Sequence, residues 1–238
     1  MRLLQILLME KIMFNIHLLG DFKNLDQLTK GRFLTHKAVQ FEEGNSFRDI
    51  IIQGLKIVIP LCAIMVIMAI IRLKELHNTD EYSIVTAIWI ALAAASTYLL
   101  AYVHEFIHAL CYPLKAEKQV WRMLDQGAFF VYCESLTSKT RFILMSFAPA
   151  LILGIIPYIF WLIFPTLLPF TPSIMLLVVS ILMTVMAMGD YVNIYNAIVQ
   201  VPKNAQIFNF GFHSYWIEDL QQGEDYIIAE DLYDRNGY

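Results

Sequence analysis

The chain has 238 residues, 58% of them hydrophobic and only 16% charged, a balance outside the range of soluble domains. So much apolar surface requires an apolar solvent, and the sequence reads as a membrane protein. A net charge of −4 selects no partner, and the absence of a basic block or an aromatic ladder from the sequence excludes nucleic acid as one.

Residues 1–49 mix apolar and charged residues with no run of span length. The apolar run Leu3 to Met9 is followed at once by Glu10 and Lys11, with no small-residue cleavage site, so it is not a signal peptide. Leu18 to Phe41 reads as a small cytoplasmic cap with short amphipathic helices. Four stretches are then uncharged or nearly so: Ile50 to Ile71, Ile84 to Val103, Phe142 to Phe164 and Ser173 to Gly189. A hydrocarbon core of about 30 Å needs about 20 helical residues, which three of these supply and the fourth nearly does. The expected fold class is all-α, with four transmembrane helices. Lys56, near the start of the first span, can lay its stem along lipid and reach the headgroups. Pro60, Pro149 and Pro157 are tolerable in membrane helices and are expected to kink them.

Between the second and third spans, Pro113 to Arg141 contains the β-prone run Ala128-Phe129-Phe130-Val131-Tyr132. It reads as a strand or hairpin against the membrane surface, either packing aromatics at the interface or offering an edge that pairs with a peptide. From Phe208 the chain turns polar, with Glu218, Asp219, Glu224, Asp225, Glu230, Asp231 and Asp234 against one Arg, the composition of a solvated acidic tail. Three regions result: a cytoplasmic N-terminal segment 1–49, a membrane domain 50–207 and a cytoplasmic tail 208–238. There is no internal repeat.

Lys and Arg are retained on the cytoplasmic side of a membrane. Fourteen of them fall in the segment before the first span, the loop between spans two and three, and the tail, against only Arg72 and Lys74 on the opposite side. Both termini are therefore expected to be cytoplasmic, in a multi-pass protein of the cytoplasmic membrane. Cys62 lies in the first span, while Cys111 and Cys133 fall on the cytoplasmic side, where thiols stay reduced and disulfides play no part.

The chemistry is concentrated in Tyr102-Val103-His104-Glu105-Phe106-Ile107-His108-Ala109-Leu110, which continues the second span without a helix breaker until Pro113. Residues four apart share one helix face, so His104 and His108 can hold one metal ion, while Glu105 sits about 100° round and can reach a water on that ion. This is the pattern of a hydrolytic zinc site with Glu105 as general base. Ionisable groups at the end of a membrane span are functional candidates by default. A catalytic zinc commonly takes three protein ligands. Cys111 shares the histidine face but lies about 10 Å of helix rise beyond His104, too far for both to make metal bonds of about 2 Å. Asp190, in Met188-Gly189-Asp190-Tyr191-Val192-Asn193, is the acidic residue at the end of another span, and Gly189 would let a neighbouring helix approach closely. Spans two and four both run towards the cytoplasm, so the histidine pair and Asp190 arrive on the same side. Asn193, Asn196 and Gln200 continue as a polar stripe, of which Asn193 is the candidate for binding a substrate carbonyl, although such a stripe is commonly a wet helix face. His17, His36, His77 and His213 have no partners at ligand spacing and receive no role.

Three stretches carry a family resemblance: His104 to Leu110; Leu136-Thr137-Ser138-Lys139-Thr140-Arg141-Phe142 leading to Ala148-Pro149; and Met188-Gly189-Asp190-Tyr191 followed by Pro202-Lys203. Over roughly Ile84 to Trp216 the chain resembles a family of bacterial integral-membrane proteins described as putative zincin peptidases, themselves similar to the site-2 class of intramembrane metalloproteases. The resemblance implies a zinc-dependent, membrane-embedded peptidase with the Gly-Asp carboxylate as third ligand. In site-2 enzymes that aspartate is followed by glycine, whereas here Gly189 precedes Asp190.

The expected function is a zinc metallopeptidase acting on a membrane-anchored or membrane-proximal peptide near the cytoplasmic face. The alternative is a non-catalytic zinc-binding scaffold or regulatory protein, which would have no use for a base at Glu105. A small-solute transporter would show inverted repeats, which the sequence lacks. Reporters fused after residues 49, 125 and 210 are expected to behave as cytoplasmic and those near 77 and 168 as external. Fusions at 77 and 125 reporting the same side would contradict the four-span topology.

Overall fold

The computed structural model of the chain describes residues 15–24, 27–28, 37–44, 47–76, 84–211 and 213–218. The chain divides into two compact units, one made of Gly44–His104 and Ser146–Ile194, the other of Met1–Glu43, Glu105–Met145 and Tyr195–Tyr238. The helices are α1 (Phe47–Leu76), α2 (Ile84–Cys111), α3 (Lys139–Pro149), α4 (Ile156–Ile163), α5 (Phe170–Met186) and α6 (Met188–Gln200), with a π-helical segment, Ala150–Ile155, joining α3 to α4. Among the described residues, three stretches, Arg48–Lys74, Ile84–Cys111 and Lys139–Ile163, are long and apolar enough to cross a membrane. A fourth is added if α5 and α6, bent by 46° at a short break, count as one span.

In the first unit, α1 and α2 are apolar all round, as suits helices in hydrocarbon. Outward residues such as Ile64 and Leu99 are 61% and 68% exposed. Inward residues pack Met65 and Ala69 of α1 in one cluster with Tyr158, Trp161 and Leu177. Several polar groups inside are satisfied locally, as a setting without water would demand. Tyr158 donates to the Met65 carbonyl at 2.6 Å, Trp161 Nε1–H to Ser173 Oγ at 2.8 Å, and Thr184 Oγ1 to the Ser180 carbonyl at 2.9 Å.

The irregularity expected around Pro149 and Pro157 takes the form of the π-helical segment between them. Each proline lacks an N–H, so the carbonyls of Met145 and Leu153 lose their i+4 donors, and a local change of helix type accommodates the gap. Gly154 lies in this segment, where a Cβ would collide with Thr184 Oγ1. Helix α1, by contrast, runs on through Pro60.

The close approach expected at Gly189 is found elsewhere. A Cβ at Gly189 would meet nothing within 4 Å, whereas one at Gly54 would lie 2.9 Å from the Met188 carbonyl oxygen and 3.0 Å from Met188 Cβ. The glycine that admits a neighbour to the start of α6 therefore belongs to α1.

The second unit carries two sheets, so the chain is mostly helical but not all-α. The first, in the order β1-β3-β4, joins β1 (Ile16–Asp21) in parallel to β3 (Lys118–Met123), which turns back into β4 (Ala128–Tyr132). The hairpin β3–β4 realises the strand expected at Ala128 to Tyr132, with Gly127 at φ +61° closing its turn. The second sheet is antiparallel, in the order β2-β7-β6-β5, from β2 (Val39–Gln40), β5 (Thr137–Ser138), β6 (Gln206–Phe210) and β7 (His213–Ile217). Where short amphipathic helices were expected within Leu18 to Phe41, β1 and β2 are strand. The rest of that stretch lies partly outside the described residues, as does Leu3 to Met9. The chain from Phe208, expected to begin the acidic tail, instead contributes to strands ending at Phe210 and spanning His213–Ile217, and residues 219–238 lie outside the described residues. One core of this unit gathers Phe41, Tyr112, Cys133, Phe142, Met145, Ala197, Val201, Ala205 and Ile207. The three cysteines are free, and burial pushes the Cys133 thiol up to about 11, which keeps it protonated and inert at neutral pH.

Gly54→Val is expected to push α1 off Met188 and to destabilise the protein by about 1–3 kcal/mol, the usual effect of overpacking. Gly189→Ala, with open space at its Cβ, should be neutral or stabilising by up to about 1 kcal/mol. Thermal unfolding of both variants in one detergent checks this, and a larger loss for Gly189→Ala would reverse the assignment.

Candidate metal centre

The histidine-bearing turn lies near the C-terminal end of α2. Its last carbonyls lack intrahelical donors and are met by cations, which also complement the helix dipole. Arg141 Nε donates to the Cys111 carbonyl at 2.8 Å. Lys118, itself buried, donates through Nζ to the carbonyls of Pro113 and Leu114 just beyond, at 2.9 and 3.0 Å. One turn back, His104, Glu105 and His108 are all buried, at 5%, 9% and 8% exposure. Three polar side chains so close together and so far from water need a partner or a ligand.

Asp190 supplies one. It sits in the first turn of α6, where a carboxylate complements the helix N-terminus. Its Oδ2 lies 3.0 Å from His104 Nε2. His104, His108 and Asp190 each offer a ligand atom, and these atoms all lie within 4.8 Å of one another. Two imidazoles and a carboxylate form a donor set suited to zinc. Ligand atoms about 2.0–2.1 Å from a tetrahedral ion stand about 3.3–3.4 Å apart, so the 3.0 Å contact needs to open by a few tenths of an ångström and the wider separations, all within 4.8 Å, need to close by at most about 1.5 Å. The residues fit the ion.

The second histidine is oriented from behind. His108 Nδ1 lies 3.0 Å from the Met145 carbonyl oxygen. A carbonyl only accepts, so Nδ1 carries a proton, and in the neutral ring Nε2 then keeps its lone pair, the form a metal-binding imidazole requires.

The structure thus brings together His104, His108 and Asp190, with Glu105 beside them on α2. Cys111 is not part of the group, nor are the acidic residues Asp125 and Glu134, the latter accepting from Tyr132 at 3.2 Å. Asn193 is half-buried on α6, one turn beyond Asp190. Asn196 and Gln200, expected on a wet face, are tied into structure. Gln200 donates to Asn196 Oδ1 at 3.1 Å and accepts the Glu42 N–H at 2.8 Å, and Asn196 is only 1% exposed. His17 pairs with Asn15 at 2.9 Å and His213 with Glu43 at 3.1 Å, in keeping with no role at the site, and His36 and His77 lie outside the described residues.

Four contributors were not foreseen. Lys139 Nζ donates to the carbonyls of Ile198 at 3.1 Å and Val201 at 2.6 Å, holding the C-terminal end of α6 as Arg141 and Lys118 hold that of α2. The fourth is the Met145 carbonyl. A backbone acceptor leaves no side-chain signature, although a proline four residues downstream was a visible pointer to it.

No curated protein and no solved structure matches the chain. Residues 97–206, the stretch that contains His104, Glu105, His108 and Asp190, match the family model described as a putative zincin peptidase.

Proposed function

We propose that the protein is a zinc-dependent metallopeptidase of the cytoplasmic membrane, hydrolysing a peptide bond in a membrane-anchored or membrane-proximal substrate near the cytoplasmic face. The observation that carries the reading is the convergence of His104, His108 and Asp190, with their ligand atoms within 4.8 Å of one another, in a stretch matching the zincin peptidase family model. Bound there, zinc would supply Lewis acidity that polarises the scissile carbonyl and makes water acidic enough to ionise near neutral pH. Glu105, next to His104 on α2, takes the proton from the attacking water and returns it to the leaving amine. Asn193, on the same helix as Asp190, donates to a substrate carbonyl.

Strand pairing supports the topology. β1 hydrogen-bonds to β3, β2 to β7 and β5 to β6, so segments from before α1, between α2 and α3, and after α6 share sheets. Segments that share a sheet cannot be separated by a bilayer, because a ladder in hydrocarbon would leave its edges unsatisfied. An even number of crossings must then separate them, as in the four-span reading. Those same segments, with the first residues of α1 and α3, hold fourteen of the seventeen Lys and Arg residues, the bias of a cytoplasmic side, and this supports putting them there.

In purified full-length protein, Glu105→Gln is expected to keep zinc and to lower hydrolysis by about 10²- to 10⁴-fold, since the amide keeps the size of the side chain but cannot take the proton. Asp190→Ala should lose zinc as His108→Ala does, while Glu134→Ala keeps it. Comparing the membrane proteomes of cells with active protein and with Glu105→Gln identifies substrates. Retained turnover in Glu105→Gln contradicts the mechanism, and zinc binding with no peptide cleaved by the wild type favours the scaffold role.

A further inference from the structure

We infer that Pro149 is a positioning residue for His108, because its missing N–H leaves the Met145 carbonyl available to fix the imidazole in the tautomer whose Nε2 binds metal. This rests on the reading of His108 as a zinc ligand. In an unbroken α-helix each carbonyl accepts from the N–H four residues on, which for Met145 is residue 149. That residue is Pro149, which has no N–H and cannot close the bond.

The vacated acceptor is then used. The Met145 carbonyl oxygen lies 3.0 Å from His108 Nδ1. Met145 is 5% exposed, His108 is 8% exposed and Pro149 is among the fully buried residues, so the contact is shielded from water that could replace it. The carbonyl cannot donate, so it selects the imidazole form with hydrogen on Nδ1 and leaves Nε2 to a metal. An amide at position 149 would draw the same carbonyl along the helix axis and out of line with the ring. Partners that orient a ligand in this way typically change metal affinity about 10- to 100-fold when lost.

The proline ring has a second effect, on helix shape, and the test must separate the two. Zinc affinity is measured by chelator competition on full-length protein in detergent for the wild type, Pro149→Ala and a variant with lactic acid at position 149, introduced by nonsense suppression. Lactic acid has the side chain of alanine but an ester oxygen in place of the N–H. Pro149→Ala is expected to bind zinc about 10-fold or more weakly, and the ester variant to recover most of that loss. Unchanged affinity in Pro149→Ala overturns the inference, and so does an equal loss in both variants, which would mean that ring shape and not the missing N–H matters. A second measurement needs no substitution in the helix: nitrogen-15 NMR of zinc-free wild type, with His108→Gln to assign the signal, should report hydrogen on Nδ1 of His108. Hydrogen on Nε2 overturns the inference even if Pro149→Ala fails to fold. If the wild type binds no zinc, the metal reading falls, while the tautomer still decides whether the Met145 carbonyl orients the ring.

Discussion

The contact between His104 Nε2 and Asp190 Oδ2 joins two helices through residues 86 positions apart in sequence. Both groups are largely removed from water, and each on its own would be unfavourable there. Together they satisfy one another, and with His108 they define a small polar site at the ends of apolar helices. The structure around the site holds these helix ends in place. Cationic side chains serve the carbonyls at the C-terminal ends of α2 and α6, Gly54 allows α1 to lie against the residue two before Asp190, and the π-helical segment follows the proline that exposes the Met145 carbonyl.

This arrangement sets a polar site within an apolar chain. Charge on the outer surface of helices that are apolar enough to cross a membrane is costly, and the ionisable groups of the site lie at the turns where α2 ends and α6 begins. The 46° bend between α5 and α6 contributes directly. It creates a helix N-terminus at Met188, and Asp190 occupies its first turn, where an anionic carboxylate is favoured.

The helical stretches were legible because a run of about 20 apolar residues has one physical explanation, and the site was legible because the spacing of His104 and His108 reflects helix geometry. Asp190 stood out as a carboxylate at the end of an apolar run. What escaped lacks a local signal. Strand β1 pairs in parallel with β3 about a hundred residues away, and its own alternation is interrupted where the register shifts between Leu18 and Gly20. Phe208 to Ile217 carries Asn209, His213 and Ser214, which read as solvated chain, yet those side chains bond within the hairpin or to Glu43. Gly189 drew notice by its place beside Asp190, whereas Gly54, in the middle of an apolar run, gave no hint that it faces Met188.

The measurement that tests the central claim most directly is X-ray absorption at the zinc edge of purified protein loaded with one equivalent of metal. The account predicts a first shell of nitrogen and oxygen at about 2.0–2.1 Å, with the outer-shell scattering of two imidazoles and no sulfur. A zinc–sulfur distance of about 2.3 Å would bring Cys111 or another thiol into the shell, and scattering from fewer than two imidazoles would remove His104 or His108 from it; either result would contradict the site described.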